Sequence, residues 1–123
     1  LKAARELAQL KAGVQLLDGE TLLEAWAADG ERSGGWVLGL VLVTRWRVIF
    51  VDLKGGMTAF PILKIEYVET NLPSLLTLAA WYGRITLRFD SPAARSAVLN
   101  LLRQDASWAA AEFDLSQAPK AGI

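Results

Sequence analysis

Between residues 22 and 90, short apolar runs alternate with turn residues, and this pattern predicts seven strands, at 22–29, 36–44, 48–53, 57–62, 63–69, 75–81 and 84–90. The last is the cleanest, with Ile85, Leu87 and Phe89 on an inward face and Arg84, Thr86 and Arg88 on a wet one. The runs 36–44 and 48–53 are apolar on both faces, so one face fills a core and the other needs a cover. The polar, glycine-rich stretch 29–35 reads as an exposed hairpin loop. Pro61 lacks a backbone donor and marks an edge, a bulge or a strand end.

Helical spacing frames the strands. Residues 2–12 are rich in strong helix formers, with Ala3, Leu7, Leu10 and Val14 on one stripe. At the other end Ser91 stands as an N-cap with Pro92 at the first helical position, and Ala94, Ala97, Val98, Leu101 and Leu102 share a face, predicting a helix over 91–104. Residues 106–113 are expected to prolong it, and 116–122 to form a disordered tail. The expected organisation is an N-terminal helix at 1–13, a β-barrel with its capping helix at 14–104 and an extension at 105–123.

Several segments taken in order carry a family resemblance: Leu17-Asp18-Gly19-Glu20, the run from Gly39 to Phe50 and the run from Phe60 to Glu69. With the final strand leading into a capping helix, the chain from about residue 14 to 104 resembles the bacterial pleckstrin-homology-like (PH/GRAM-type) domains. That resemblance implies a mainly β fold: a seven-stranded barrel of two near-orthogonal antiparallel sheets, four strands and then three, with the C-terminal helix across one end. Such folds serve lipid, peptide and protein binding alike. Lipid-binding members of the eukaryotic branch of this fold hold inositol phosphates with several Lys and Arg on the first hairpin. Here that hairpin carries Glu24, Asp29 and Glu31 against Arg32, which disfavours phosphoinositides.

Composition narrows the chemistry. Thirteen basic and thirteen acidic residues cancel, leaving no electrostatic footprint for nucleic acid or an anionic membrane. With neither cysteine nor histidine, Cys/His zinc sites, disulfides and a histidine base are excluded. No flanking motif singles out two of the scattered carboxylates as an acid–base pair, and Gly34-Gly35 and Gly55-Gly56 lack the lysine and helix start of a phosphate loop. The expectation is a protein that is not an enzyme and uses no metal or cofactor.

A hydrophobic content of 53% exceeds what a small core absorbs, so a protein partner or a second copy of the chain is expected, the alternative being a peripheral-membrane or small-ligand binding module that uses the end of the barrel opposite the helix. The candidate interaction residues are Leu7 and Leu10 on the helical stripe, Trp36, and the Arg45-Trp46-Arg47 turn. Two guanidinium groups beside an indole suit an anion, although Arg47 and Thr44 also fit a purely structural turn. The five tryptophans are dispersed one per element, which favours core or interface anchors over a stacking platform for nucleic acid. No apolar run approaches the ~20 residues of a membrane span, and no signal-like segment stands at the start, so a cytoplasmic location is expected.

Overall fold

The computed structural model describes residues 2–70, 72–105 and 112–113, with side chains for 4–70 and 72–103. Helix α1 (Lys2–Gly13) precedes strands β1 (Leu22–Arg32), β2 (Gly35–Thr44), β3 (Arg47–Asp52) and β4 (Met57–Pro61). A 3-10 turn (Ile62–Lys64) leads to β5 (Tyr67–Glu69), β6 (Leu75–Ala80), β7 (Gly83–Phe89), helix α2 (Pro92–Asp105) and the two-residue β8 (Glu112–Phe113). The fold is mainly β, with seven antiparallel strands and two helices; β8 adds to β5 in parallel.

Among the described residues the strands form one sheet in the order β4-β3-β2-β1-β7-β6-β5-β8, open at both edges, and this corrects the expectation of a closed barrel made of two sheets. The join is β1, which pairs with β2 from Leu22 to Arg32 and with β7 through Ala28–Gly30. Closure would require β4 to pair with β5. Instead the chain leaves Pro61 in a 3-10 turn closed by the Ile65 N–H on the Ile62 carbonyl at 3.2 Å. The predicted strand at 63–69 is thereby reduced to its last three residues.

Both halves of the sheet nevertheless bury their inner faces in one core. Val43, Val48, Phe50 and Phe60 from the first half meet Val68, Leu76, Leu78 and Leu87 from the second. Helix α2 completes that core with Val98, Leu99 and Leu102, all buried, while Ala94 and Leu101 pack at its rim. Leu99 was absent from the predicted stripe; the buried face is centred one position off it. Ser91 caps α2 as expected, its Oγ accepting the Ala94 N–H at 3.1 Å.

The hairpin between β1 and β2 is tighter than the polar composition of 29–35 implied. Both strands continue to the register pair Arg32–Gly35, leaving Ser33 and Gly34 as the turn, with Gly34 at φ 104° and Gly35 at φ 130°. Glycine alone adopts such angles without strain. The polar residues of this stretch are tied across strands: Arg88 to Asp29 at 3.0 Å and Arg32 to Asp52 at 3.1 Å.

The second apolar face of β2 and β3, made of Leu40, Leu42, Ile49 and Val51, is covered within the chain by Leu7 and Leu10 of α1 and by Val14. The amphipathic stripe and the two-sided hairpin therefore satisfy one another. In the C-terminal extension Glu112–Phe113 is strand, not the predicted helix. The rest of that prolongation, and the predicted tail at 116–122, lie outside the described residues.

Candidate functional site

The connection between β2 and β3 is built on a buried ion pair. Thr44, fully buried, accepts the backbone N–H groups of Trp46 and Arg47 at 3.0 and 2.9 Å through Oγ1 and donates to Glu20 Oε2 at 2.6 Å. Arg47 grips the same carboxylate with Nε on Oε2 and Nη2 on Oε1, both at 2.8 Å. The Leu17 N–H adds a further donor to Oε1 at 2.8 Å, across the Asp18-Gly19 turn. The Arg47 hydrogen bonds, followed by those of Thr44 and Leu17, outweigh the opposing effect of burial and hold the Glu20 pKa at about 2, against an ordinary 4.5. Arg47 is therefore a structural residue. Glu20, which read in the sequence as one of many scattered carboxylates, is the centre of the arrangement.

This network leaves Arg45 and Trp46 projecting from the turn. Trp46 is 45% exposed and Leu63 73% exposed, and with Arg45, Pro61 and Ile62 they line a cleft of about 280 Å³. The cleft walls are joined by the Ile62 N–H on the Trp46 carbonyl at 2.7 Å.

That bond also fixes the direction of the backbone groups along β4. Antiparallel pairs alternate between bonded and non-bonded positions. With Trp46–Ile62 bonded, and the Asp52 N–H on the Gly56 carbonyl at 2.9 Å, the pairs Val48–Phe60 and Phe50–Thr58 are the bonded ones between them. The N–H groups of Met57 and Ala59, and the carbonyls of Met57, Ala59 and Pro61, consequently face outward at the free edge. Pro61 occupies an outward position, where its missing donor costs the β3 ladder nothing.

The remaining sequence candidates lie elsewhere. Leu7 and Leu10 are under α1, on the outer face of β2 and β3. Trp36 stands at the opposite end of β2 from Trp46, with the Arg88 guanidinium 4.3 Å from its ring centroid. There a cleft of about 490 Å³ is lined by Arg32, Trp36, Lys54 and Met57 among others. Its arginine gives Nε to Asp52 and Nη1 to Thr58 and sits 5.1 Å from the Phe50 ring, while Nη2 is buried with no partner among the described residues.

Burial alone would raise the Asp52 pKa; the Gly56 and Lys54 N–H groups and Arg32 more than offset it and leave it below the usual value. Both buried carboxylates, Glu20 and Asp52, are thus held ionised by their donors. Among the described residues no three His, Cys, Asp or Glu side chains converge to hold a metal ion, and no helix is long and apolar enough to cross a membrane. Of the tryptophans with described side chains only Trp26 packs against the core; Trp81 is 78% exposed, edge-on to Tyr82, whose ring stacks on Phe60 at 5.7 Å. Trp108 lies outside the described residues.

No family model matches the chain, and no curated protein matches it by sequence. Among solved structures it is similar to the C-terminal domain of an unknown protein from Leishmania infantum, with a TM-score of 0.57 at 14% identity over 83% of this chain and 95% of that one. It is also similar to the hSac2 domain from the human phosphoinositide phosphatase Sac2, with a TM-score of 0.62 at 16% identity over 99% of this chain and 92% of that one. At these identities the likeness is one of fold, and it supports a PH-like architecture.

Proposed function

We propose that the chain is a non-catalytic PH-like interaction module that binds a protein partner at the Trp46 cleft. The observation that carries this reading is the pair of large apolar side chains, Trp46 at 45% and Leu63 at 73% exposure, held out beside an unpaired strand edge with Arg45 on the rim. Aromatic and arginine side chains of this kind anchor protein interfaces. Saturation of Glu20 and Asp52 by their own donors supports a non-catalytic role. The motifs from Gly39 to Phe50 and from Phe60 to Glu69, with their resemblance to bacterial GRAM-type domains, favour that branch of the fold.

Self-association is the competing use of apolar surface. Because α1 already covers the outer face of β2 and β3, self-association would have to use other exposed apolar surface, such as the cleft and the β4 edge or Trp81 and Tyr82. A photo-crosslinking amino acid at position 63, introduced in the native cell, separates the outcomes. An adduct to a second protein, lost on Arg45→Glu with the melting temperature unchanged, is expected; an adduct only to another copy replaces this reading by self-association.

The protein-partner reading makes a different prediction from a peripheral-membrane role for the exposed Trp81 and Tyr82. Binding to phosphoinositide-containing vesicles is expected to be no stronger than to neutral vesicles at physiological salt. Salt-sensitive sedimentation abolished by Arg45→Glu would overturn the protein-partner reading in favour of a charged lipid surface.

A further inference from the structure

We infer that β4 takes up an extended acidic segment of a partner protein as an added strand, with two apolar anchors four residues apart. This rests on the protein-partner reading and specifies its chemistry. Among the described residues the edge offers a repeating set of groups without a partner, the Met57 and Ala59 N–H and the Met57, Ala59 and Pro61 carbonyls, which is the template that strand addition uses. Met57, Ala59 and Pro61 also share one face, the face of Ile49 and Val51.

On that face an apolar cleft lies at each end of β4. One is the cleft of Trp46, Pro61 and Leu63; the other, about 460 Å³, is lined by Leu10, Val14, Val51 and Met57 among others. Residues 57 and 61 are four strand positions, roughly 13 Å, apart. Residues i and i+4 of an added strand point to the same side at that spacing, so one side chain enters each cleft.

Charge selects the occupant. Lys54 is exposed at one end of β4, and Arg45 and Lys64 are exposed at the other, none with an ion-pair partner among the described residues. The nearby buried carboxylate Asp52 is spent on Arg32. Two copies paired antiparallel through β4 would set Lys54 of each against Arg45 and Lys64 of the other, a like-charge contact. An acidic segment meets opposite charge at both ends.

The test uses the chain as it stands and a capped nine-residue peptide: two glutamates, a five-residue centre with leucine at its first and fifth positions and β-branched residues between them, and two glutamates. Binding is followed by amide NMR and hydrogen exchange. Addition of the peptide should slow exchange of the Met57 and Ala59 N–H groups at least tenfold. Replacing its glutamates by lysines should weaken binding at least tenfold. Ala59→Pro removes one outward donor, as Pro61 already does, and should leave the melting temperature within a few degrees while reducing peptide affinity at least tenfold.

Shifts at Trp46 and Leu63 without protection of Met57 and Ala59 would overturn strand addition while leaving the protein-partner reading standing. Equal binding of the lysine peptide, unchanged affinity in Ala59→Pro, or no spectral change at millimolar peptide would also overturn it. Protection of both amides in the chain alone, with a dimer mass in sedimentation, would assign the edge to a second copy.

Discussion

Glu20→Gln is expected to destabilise the fold by about 3–5 kcal/mol in chemical denaturation at pH 7, the range found when one partner of a buried ion pair is removed. The Glu20 side chain is fully buried and the Arg47 side chain is 15% exposed, so the guanidinium left behind has little water to turn to. The pH dependence has a definite sign. A carboxyl whose pKa falls from 4.5 unfolded to about 2 folded stabilises the protein above pH 4.5, and that contribution disappears as the pH falls towards 2. At 1.36 kcal/mol per pKa unit the contribution is about 3 kcal/mol. The gap between the parent and Glu20→Gln should therefore shrink between pH 4.5 and 2, where the parent loses what the variant never had. Parallel stability curves across that window would show that the pair contributes nothing through ionisation.

Leu102→Asp should cost at least as much. Leu102 is completely buried, among the inner faces of both halves of the sheet. Leu102→Ala leaves a cavity and is expected to cost about 2–5 kcal/mol. The aspartate adds a carboxyl with no partner in an apolar site, and the protein should lose its cooperative transition or melt far below the parent. Leu101→Asp is the internal control: Leu101 is only partly buried, so its carboxylate reaches water and the loss should be clearly smaller. Equal melting of the two aspartate variants would mean that α2 does not close the core in the orientation described.

Much of the fold was legible from local patterning. The alternation of Ile85, Leu87 and Phe89 with polar residues located β7 to within a residue, and the Ser91-Pro92 pair located the start of α2. Pro61, read as an edge, a bulge or a strand end, closes the edge strand β4. The polar stretch 29–35 misled, because composition shows that residues are hydrophilic and does not show that Asp29 and Arg32 find cross-strand partners in Arg88 and Asp52. The candidate site is half visible in the sequence: Arg45 and Trp46 stand out, whereas Leu63, which completes their cleft, reads only as a strand residue and Pro61 only as a break in the ladder.

What the sequence by itself determined is therefore the local conformation: which runs are strands, which faces are apolar, where the helices start. These follow from side-chain periodicity and capping, which act over a few residues. Tertiary structure decided whether the sheet closed, whether α1 or another molecule covered β2 and β3, and which of two neighbouring arginines was free. Those outcomes depend on register between strands distant in the chain. Glu20 meets Arg47 across 27 residues, and the outward direction of the Met57 and Ala59 N–H groups follows from the phase of the β3–β4 ladder, which no local pattern encodes.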